Sequence, residues 1–464
     1  MSAVPELLLE LALPPDARPK RRPGRGRGEI WRLHDTPDGT LAAAGLAVLE
    51  IAGSPPIWRL LRIFPTDREQ IWQPGGPATL VAEAADLVGL ARQSAIVLPH
   101  PIAPVVQLNV RLQSLAGYEG AQLLVATADD GTTFRRVRLS GDIAATAAAL
   151  GAGLPPHTLC AEALGINVAR RQGPPLLRAD VTVGDGFAHI VATLTDMMIA
   201  MAPAASNGIG AEPVHQMRVA LRRLRSALSL FGPILPCPEL VALKQDAKRL
   251  AATLGPARAW DVFLADILPP LAAALPDNPS VTELRDAADA PRAAAYAALR
   301  QVLDDPKFAA FGLDLALLAA TRPWPAEADA QPMAHFAHAA LARRQKQLRK
   351  RGRQLRRLDI NGLHALRLSA KRLRYTAEFF ASADARHNVA RSLRQLAKLQ
   401  TALGTLNDAA TVDALLAEMP ASIGLGYPGG LLRGFIAGSH AGTRDAITQA
   451  WRRLRTHKPT WDGS

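Results

Sequence analysis

The sequence predicts a multidomain chain, α+β at its N-terminal end and all-α beyond it. Three observations carry this. Short apolar runs separated by turn signals occupy the first 180 or so residues, and segments with helical spacing and few β-branched residues occupy the rest. The helical part also repeats itself at an offset of 149 residues.

In chain order, "ELLLELAL" (6–13), "IWRLLRIF" (57–64) and "GAQLLVATA" (120–128) read as strands, with Pro37-Asp38-Gly39 and Asp130-Gly131 as turn signals. "PKRRPGRGRG" (19–28) reads as a flexible basic loop. His34 stands beside Asp35 without ligand spacing and reads as a turn histidine. "RRQGPPLLRADVTVGDG" (170–186) reads as a linker. Beyond it, "LKQDAKRLAATLG", "FAHAALARRQKQLRKRGRQLRRL" and "SLRQLAKLQTALG" carry helical spacing, with Pro233, Pro269-Pro270, Pro323 and Pro325 expected as breakers. The outer residues of the basic run read as solvated, with Arg344, Lys350 and Arg353 as candidates to face a binding groove, a choice that periodicity leaves open. "HKPTW" (457–461) reads as a helix terminus with an anchoring tryptophan. We therefore expect a first domain over 1–170, a linker over 171–183 and a helical bundle over 184–464, with halves at about 184–320 and 330–458.

With 464 residues, 48% of them hydrophobic, the chain is long enough for two or three cored domains. No run of eighteen uninterrupted apolar residues occurs, and Met1 is not followed by a signal-peptide pattern, so a soluble, cytoplasmic protein without a membrane partner is expected. Cys160 and Cys237 lie 77 positions apart, which excludes a disulfide framework and a cysteine metal cluster and suits a reducing compartment. Net charge is +13 and unevenly placed. Residues 1–200 hold 18 Lys and Arg against 19 Asp and Glu, whereas 201–464 hold 36 against 22. The basic excess lies in the helical part and implies an anionic partner there: nucleic acid, acidic lipid or polyphosphate.

Within the repeat, His215 matches His364, Arg225 matches Arg374 and Gly255 matches Gly404. Each copy continues into a polar segment that holds Asp261 or Asp408. With His215 at zero on a helical wheel, Arg218, Arg222 and Arg225 fall at about 300°, 340° and 280°. Val214, Met217, Leu221, Leu224, Leu228 and Phe231 fill the adjoining arc, which must face a core. His364, Arg367, Lys371 and Arg374 repeat the stripe in the second copy, beside Leu363, Leu366, Ala370, Leu373, Ala377 and Phe380. Arg223 and Arg372 fall outside the stripes. Like charges at these spacings repel, and no matching acidic stripe is present, Glu378 being the nearest local acid. Phosphate oxygens would offset the repulsion through charge-assisted bonds, and histidine would add a donor whose charge rises near an anion.

These residues resemble a known family. "VHQMRVALRRLRSALSLF" (214–231), "LGPARAWDVFL" (254–264), "LHALRLSAKRLRYTAEFF" (363–380) and "LGTLND" (403–408) are similar to the CHAD domain, an all-helical domain with an internal duplication. The resemblance covers roughly 184–458. It implies a two-fold pseudo-symmetric bundle that binds inorganic polyphosphate through basic side chains in a central groove, associates with polyphosphate granules in bacteria and performs no catalysis. Carried over, the binding residues are His215, Arg218, Arg222, Arg225, His364, Arg367, Lys371 and Arg374, with Lys248, Arg258 and Lys398 as extensions. Polyphosphate-granule proteins are further candidate partners, and no cofactor is implied. Ala259 departs from the family, where an acidic residue often follows the arginine, so the resemblance implies no local ion pair there.

The first 165 residues resemble a degenerate CYTH domain, the β-barrel fold of the triphosphate tunnel metalloenzymes. "LHDTPDGTLAAAGLAVLEI" (33–51) is similar to a family segment whose strand carries alternating arginines, but this strand holds Leu49 and Glu50. Against the family's opening Glu-x-Glu-x-Lys strand stand Leu8, Glu10 and Ala12, and "FRRVRLSGD" puts Arg135 and Val137 about where carboxylates are needed. Holding Mg²⁺ or Mn²⁺ in such a tunnel needs several carboxylates, so a non-catalytic domain without a metal is expected, with Glu6 as one alternative ligand beside Glu10. Two other readings of the whole chain compete: a metal-dependent inorganic triphosphatase, and a nucleic-acid binder. The absence of helix-turn-helix spacing and of stacking rings near the stripes, Tyr375 excepted, weighs against the second. A helical scaffold with incidental charge is the bland alternative.

Overall fold

The structure is a computed structural model describing residues 7–14, 17, 26–63, 78–94, 97–98, 101–166, 173–178, 180–382, 389–439 and 442–456, with only the backbone described over 405–408. Glu6, residues 19–25 of the basic loop, "HKPTW" (457–461) and the Asp408 side chain lie outside these residues. The chain divides into two units that interleave in sequence. One holds Met1–Gln172, Val191–Pro203 and Asp305–Arg322, the other Gly173–Ile190, Ala204–Asp304 and Pro323–Ser464.

Among the described residues the first unit is built on eight strands: β1 (Leu9–Ala12), β2 (Arg27–Asp35), β3 (Leu46–Ile51), β4 (Ile57–Arg62), β5 (Thr79–Ala84), β6 (Ala103–Ser114), β7 (Ala121–Ala128) and β8 (Thr133–Leu139). They pair antiparallel in the order β1-β8-β7-β6-β2-β3-β4-β5, a curled half-barrel. Four short helices accompany them: α1 (Thr40–Ala43), α2 (Leu87–Ser94), α3 (Ile143–Leu150) and α4 (Leu159–Ala163). The three apolar runs read as strands contain β1, β4 and β7.

Cross-strand partners share a face, so register sorts the side chains. One face carries Trp31, Leu33, Leu49, Ile51, Leu108, Val110 and Leu124, packed with Leu159, Cys160 and Ala161 of α4. The other packs Leu46, Val48 and Leu60 against Leu90 of α2, and Leu9, Leu11, Val137 and Leu139 against Ile143 and Ala147 of α3. Each fully buried aliphatic chain contributes about 1.5–3 kcal/mol. His34 is a strand residue, not a turn histidine: buried in β2, it sets Nε2 2.9 Å from Glu50, which also accepts from Arg32 at 2.9 Å. The expected turn instead rests on Asp35, whose carboxylate accepts from the backbone N–H groups of Thr36, Leu41 and Ala42 and thereby fixes α1.

The remaining helices are α5 (Val183–Ser206), α6 (Glu212–Phe231), α7 (Glu239–Val262), α8 (Leu268–Ala274), α9 (Pro279–Asp304), α10 (Pro306–Thr321), α11 (Ala326–Asp329), α12 (Met333–Gly352), α13 (Ile360–Phe380), α14 (Val389–Glu418), α15 (Ala421–Gly424), α16 (Tyr427–Ser439) and α17 (Thr443–Thr456). Helix α10 belongs to the first unit, where Leu313 joins the α3 cluster. Helix α5 is long and apolar enough to cross a bilayer by length and composition, but its sequence is mostly buried within the protein.

Local chemistry sets the ends of the two key helices. Helix α6 opens with Glu212 and Pro213 and stops at Gly232-Pro233. Helix α13 is capped by Asp359, which accepts from the N–H of Gly362 at 2.7 Å. Pro323 and Pro325 fall between helices as expected, but Pro269-Pro270 break nothing. A π-helical turn, Phe263–Ile267, joins α7 to α8, and the two prolines sit in the first turn of α8, where their missing N–H groups matter least.

Candidate functional site

Within the second unit, α6 and α13 pack together so that equivalent residues of the repeat meet. Phe231 and Phe380, 149 positions apart, have ring centroids 6.3 Å apart. Phe187 of α5 and Phe336 of α12 are related by the same offset; Phe187 stacks on Phe231 at 5.0 Å and Phe336 meets Phe380 at 6.1 Å. This ring cluster is the meeting point of the two halves. The 149-residue offset extends to it in the sequence, though the polar motifs do not reveal it.

The same packing brings the basic stripes together. The Arg222 guanidinium lies over the Tyr375 ring, 5.1 Å from its centroid. Lys371, the repeat mate of Arg222, is pushed down to about 8, first by burial and then by Arg367, Arg222 and Arg218. Burial, Arg222 and Arg258 likewise lower Arg218, and burial followed by Arg258 lowers His215. Six cationic or titratable groups from both halves thus act on one another. Arg218 and Arg222 are exposed, Arg367 and Lys371 half-buried, and the Arg367 Nε is buried without a hydrogen-bond partner. Among the described residues, no ion pair engages Arg218, Arg222, Arg367 or Lys371. The carboxylates that do meet arginines lie elsewhere. Glu378, buried between the helices, accepts from Arg223 at 3.4 Å and from Arg374 at 2.7 Å. Asp261, also buried, accepts from Tyr296 at 2.7 Å and pairs with Arg292 at 3.0 Å.

Helix α7 supplies a further side. A Cβ built on Gly255 would stand 3.6 Å from the Arg218 Nη1, so this face of α7 meets the stripe. Lys248, seven residues earlier, is within about 20° of Gly255 on the wheel, and Arg258 acts directly on His215. Arg258 also approaches Asp266 loosely, at 3.9 Å. Three expected residues are placed differently. Arg374 is engaged by Glu378 and by Gln400 at 3.1 Å. His364 is exposed at the first turn of α13; the position matching Arg258 in its copy is Asn407, whose side chain is outside the described residues. Lys398 lines a cavity of about 500 Å³ between α14 and α17 with Thr401, Gln449 and Arg453, on a different side of α14 from Gln400. Periodicity leaves Arg223 outside the stripe without a role; the structure pairs it with Glu378.

A family described as the CHAD domain matches residues 189–417. The crystal structure of the CHAD domain from the plant Ricinus communis is 30% identical, with a TM-score of 0.54, and the match covers 62% of this chain and 97% of that one. The chain belongs to the CHAD family. PptA from Streptomyces chartreusis also matches, over 58% of this chain and 99% of its own, at 18% identity and a TM-score of 0.46. No curated protein sequence matches. The CHAD match contains the α6–α7 and α13 stripes with their shared ring cluster.

The sheet lies outside the CHAD match, and its curled antiparallel form is consistent with a CYTH-like tunnel domain. Register corrects one alignment: Glu10 pairs with Arg138, so Arg136 and Arg138 share its face while Arg135 and Val137 point to the other. Period-two alternation makes a one-residue slip a change of face. Glu10 meets Arg138 at 2.9 Å, and Glu162 meets Arg136 at 2.5 Å. Arg135 instead donates to the carbonyls of Pro14 and Ala17. Among the described residues no three His, Cys, Asp or Glu groups stand close enough to hold a metal ion. The residues present do not fit the metal that a CYTH-like fold implies, and most of this face is apolar.

Proposed function

We propose that this CHAD protein binds inorganic polyphosphate across the α6–α13 cation cluster. The observation that carries the reading is Lys371 among Arg218, Arg222 and Arg367, cations of both repeats drawn together with no ion pair to a carboxylate among the described residues. Membership of the CHAD family supports a polyphosphate-binding type of domain. Guanidinium forks bind phosphate oxygens bidentately, and ammonium groups add point charges. Binding releases counterions, so affinity falls steeply with salt, and avidity favours long chains over triphosphate. A titration of long-chain polyphosphate at several salt concentrations, with duplex DNA as competitor at equal phosphate, tests this. Displacement by DNA at parity would remove the specificity claimed.

The cluster makes binding pH-dependent. Free Lys371 loses its proton through about 8, and a bound anion raises that value, so binding takes up a proton and affinity declines as pH rises above about 8. Lys371→Arg, charged throughout, flattens the decline. Stability of the free protein runs the other way. Between the folded value near 8 and the ordinary lysine value of 10.5 the unfolded chain binds more protons, so this group makes stability rise with pH across that window. Binding calorimetry in buffers of different ionisation enthalpy measures the uptake.

The N-terminal sheet is read as non-catalytic because its acids on the Glu10 face are held by arginines. Purified protein with Mg²⁺ is expected to release no phosphate from triphosphate; release abolished by Glu10→Ala would restore the triphosphatase reading. A cytoplasmic location on polyphosphate granules completes the proposal, tested by co-sedimentation with granules.

A further inference from the structure

Residues 330–358 hold nine Lys and Arg and no Asp or Glu. Four of them, Arg343, Lys346, Lys350 and Arg353, follow the spacing three, four, three found in His215, Arg218, Arg222 and Arg225. On the wheel they fall within about 80° of one another. All four are exposed, roughly opposite the buried residues Leu341, Gln345, Leu348 and Gly352. None forms an ion pair among the described residues.

A solvated helix normally sets acids four residues from its bases, gaining a few tenths of a kcal/mol per pair, whereas like charges at that spacing cost as much. Here Lys346 and Lys350 are neighbours of that kind, with no acid to separate them. The negative end of the helix dipole favours cations only in the last turn, which leaves Arg343 and Lys346 unexplained. The positive surface also extends sideways. Gly352 sits against the Trp451 ring, leaving no room for a side chain, so the end of α17 with the exposed Arg452 and Arg455 lies beside the end of α12. On the other flank, burial and then Arg343 and Arg372 lower Arg344, which links the ribbon to α13.

We infer that the outer face of α12 is a second binding surface for a long phosphate polymer, separate from the α6–α13 cluster. The inference rests on the polyphosphate reading and goes beyond its site. A single straight row of charges, about 15 Å from Arg343 to Arg353 at the helical rise, suits one linear chain. A nucleic acid is disfavoured because no Phe, Tyr or Trp lies between 337 and 358 to stack a base. A lipid surface is disfavoured because none of the exposed large apolar residues falls on α12. With two surfaces, a long chain held at one is presented to the other at high effective concentration.

The test replaces Arg343, Lys346, Lys350 and Arg353 together by glutamine, a good helix former at exposed positions, with thermal melting as the check on folding. Affinity is measured for chains of about ten and about a hundred phosphates. The expected result is an affinity for long chains about tenfold lower and an affinity for short chains unchanged. Long-chain affinity equal to that of the unaltered protein, with short chains still bound, overturns the second surface and leaves the first. Failure of the unaltered protein to bind either length sinks both. Loss of duplex DNA binding with polyphosphate binding intact assigns the ribbon to nucleic acid and overturns the inference as well.

Discussion

Replacing Arg218, Arg222, Arg367 and Lys371 together by alanine will lower the affinity for long polyphosphate by about 10³-fold, taking roughly 1 kcal/mol for each charge-assisted phosphate bond removed. The slope of log affinity against log salt will flatten by roughly 3, since four neutralising cations disappear. Stability will move in the opposite direction. Burial, and then the repulsion of the neighbouring cations, holds Lys371 down at about 8 in the free protein, and none of the four is held by a carboxylate among the described residues. Denaturant unfolding should therefore show the variant at least as stable as the unaltered chain. A variant that unfolds more easily yet still retains polyphosphate would show the cluster to be structural.

The reverse pattern is expected at Glu378. It is 7% exposed and joins Arg223 of α6 to Arg374 of α13. Glu378→Ala removes the Glu378 carboxylate from the Arg223 guanidinium, itself well buried, and breaking such a buried pair costs about 3–5 kcal/mol. For a unit of this size that corresponds to a fall in melting temperature of roughly 6–20 °C, read by calorimetry. Replacing all three groups by Leu and Met should recover most of that stability, because an apolar set of similar volume has no charge to desolvate. A melting temperature unchanged in the single variant would mean that solvent already screens the triad.

The two results divide the cations of one helix by what surrounds them. Arg218 and Arg223 of α6 are five residues apart and chemically identical, yet one acts on Lys371 of the other repeat and the other meets a buried acid. The 100° turn separates them in the sequence, and periodicity sorts Arg223 off the stripe correctly. It cannot supply Glu378 as the partner, because that pairing joins positions 155 residues apart. Lys398 illustrates the opposite limit: the family resemblance carries it over as a binding residue, but α17, whose docking no local pattern specifies, turns its surroundings into a separate cavity. In the sheet, alternation identifies strands while leaving parity open, which is why Arg135 and Arg138 exchange faces once the pairing with β1 is known.

By itself, the sequence determined the change from strands to helices, the 149-residue duplication and the two basic stripes. All of these are periodic or compositional, carried by neighbours along the chain. Tertiary structure alone decided that the stripes converge through Phe231 and Phe380, that Arg223 is held by Glu378 of the other repeat, and that Lys398 lines a separate cavity beside α17. Those outcomes depend on residues far apart in sequence meeting in space, and the energies involved come from burial and charge at short range, which leave no trace in local spacing.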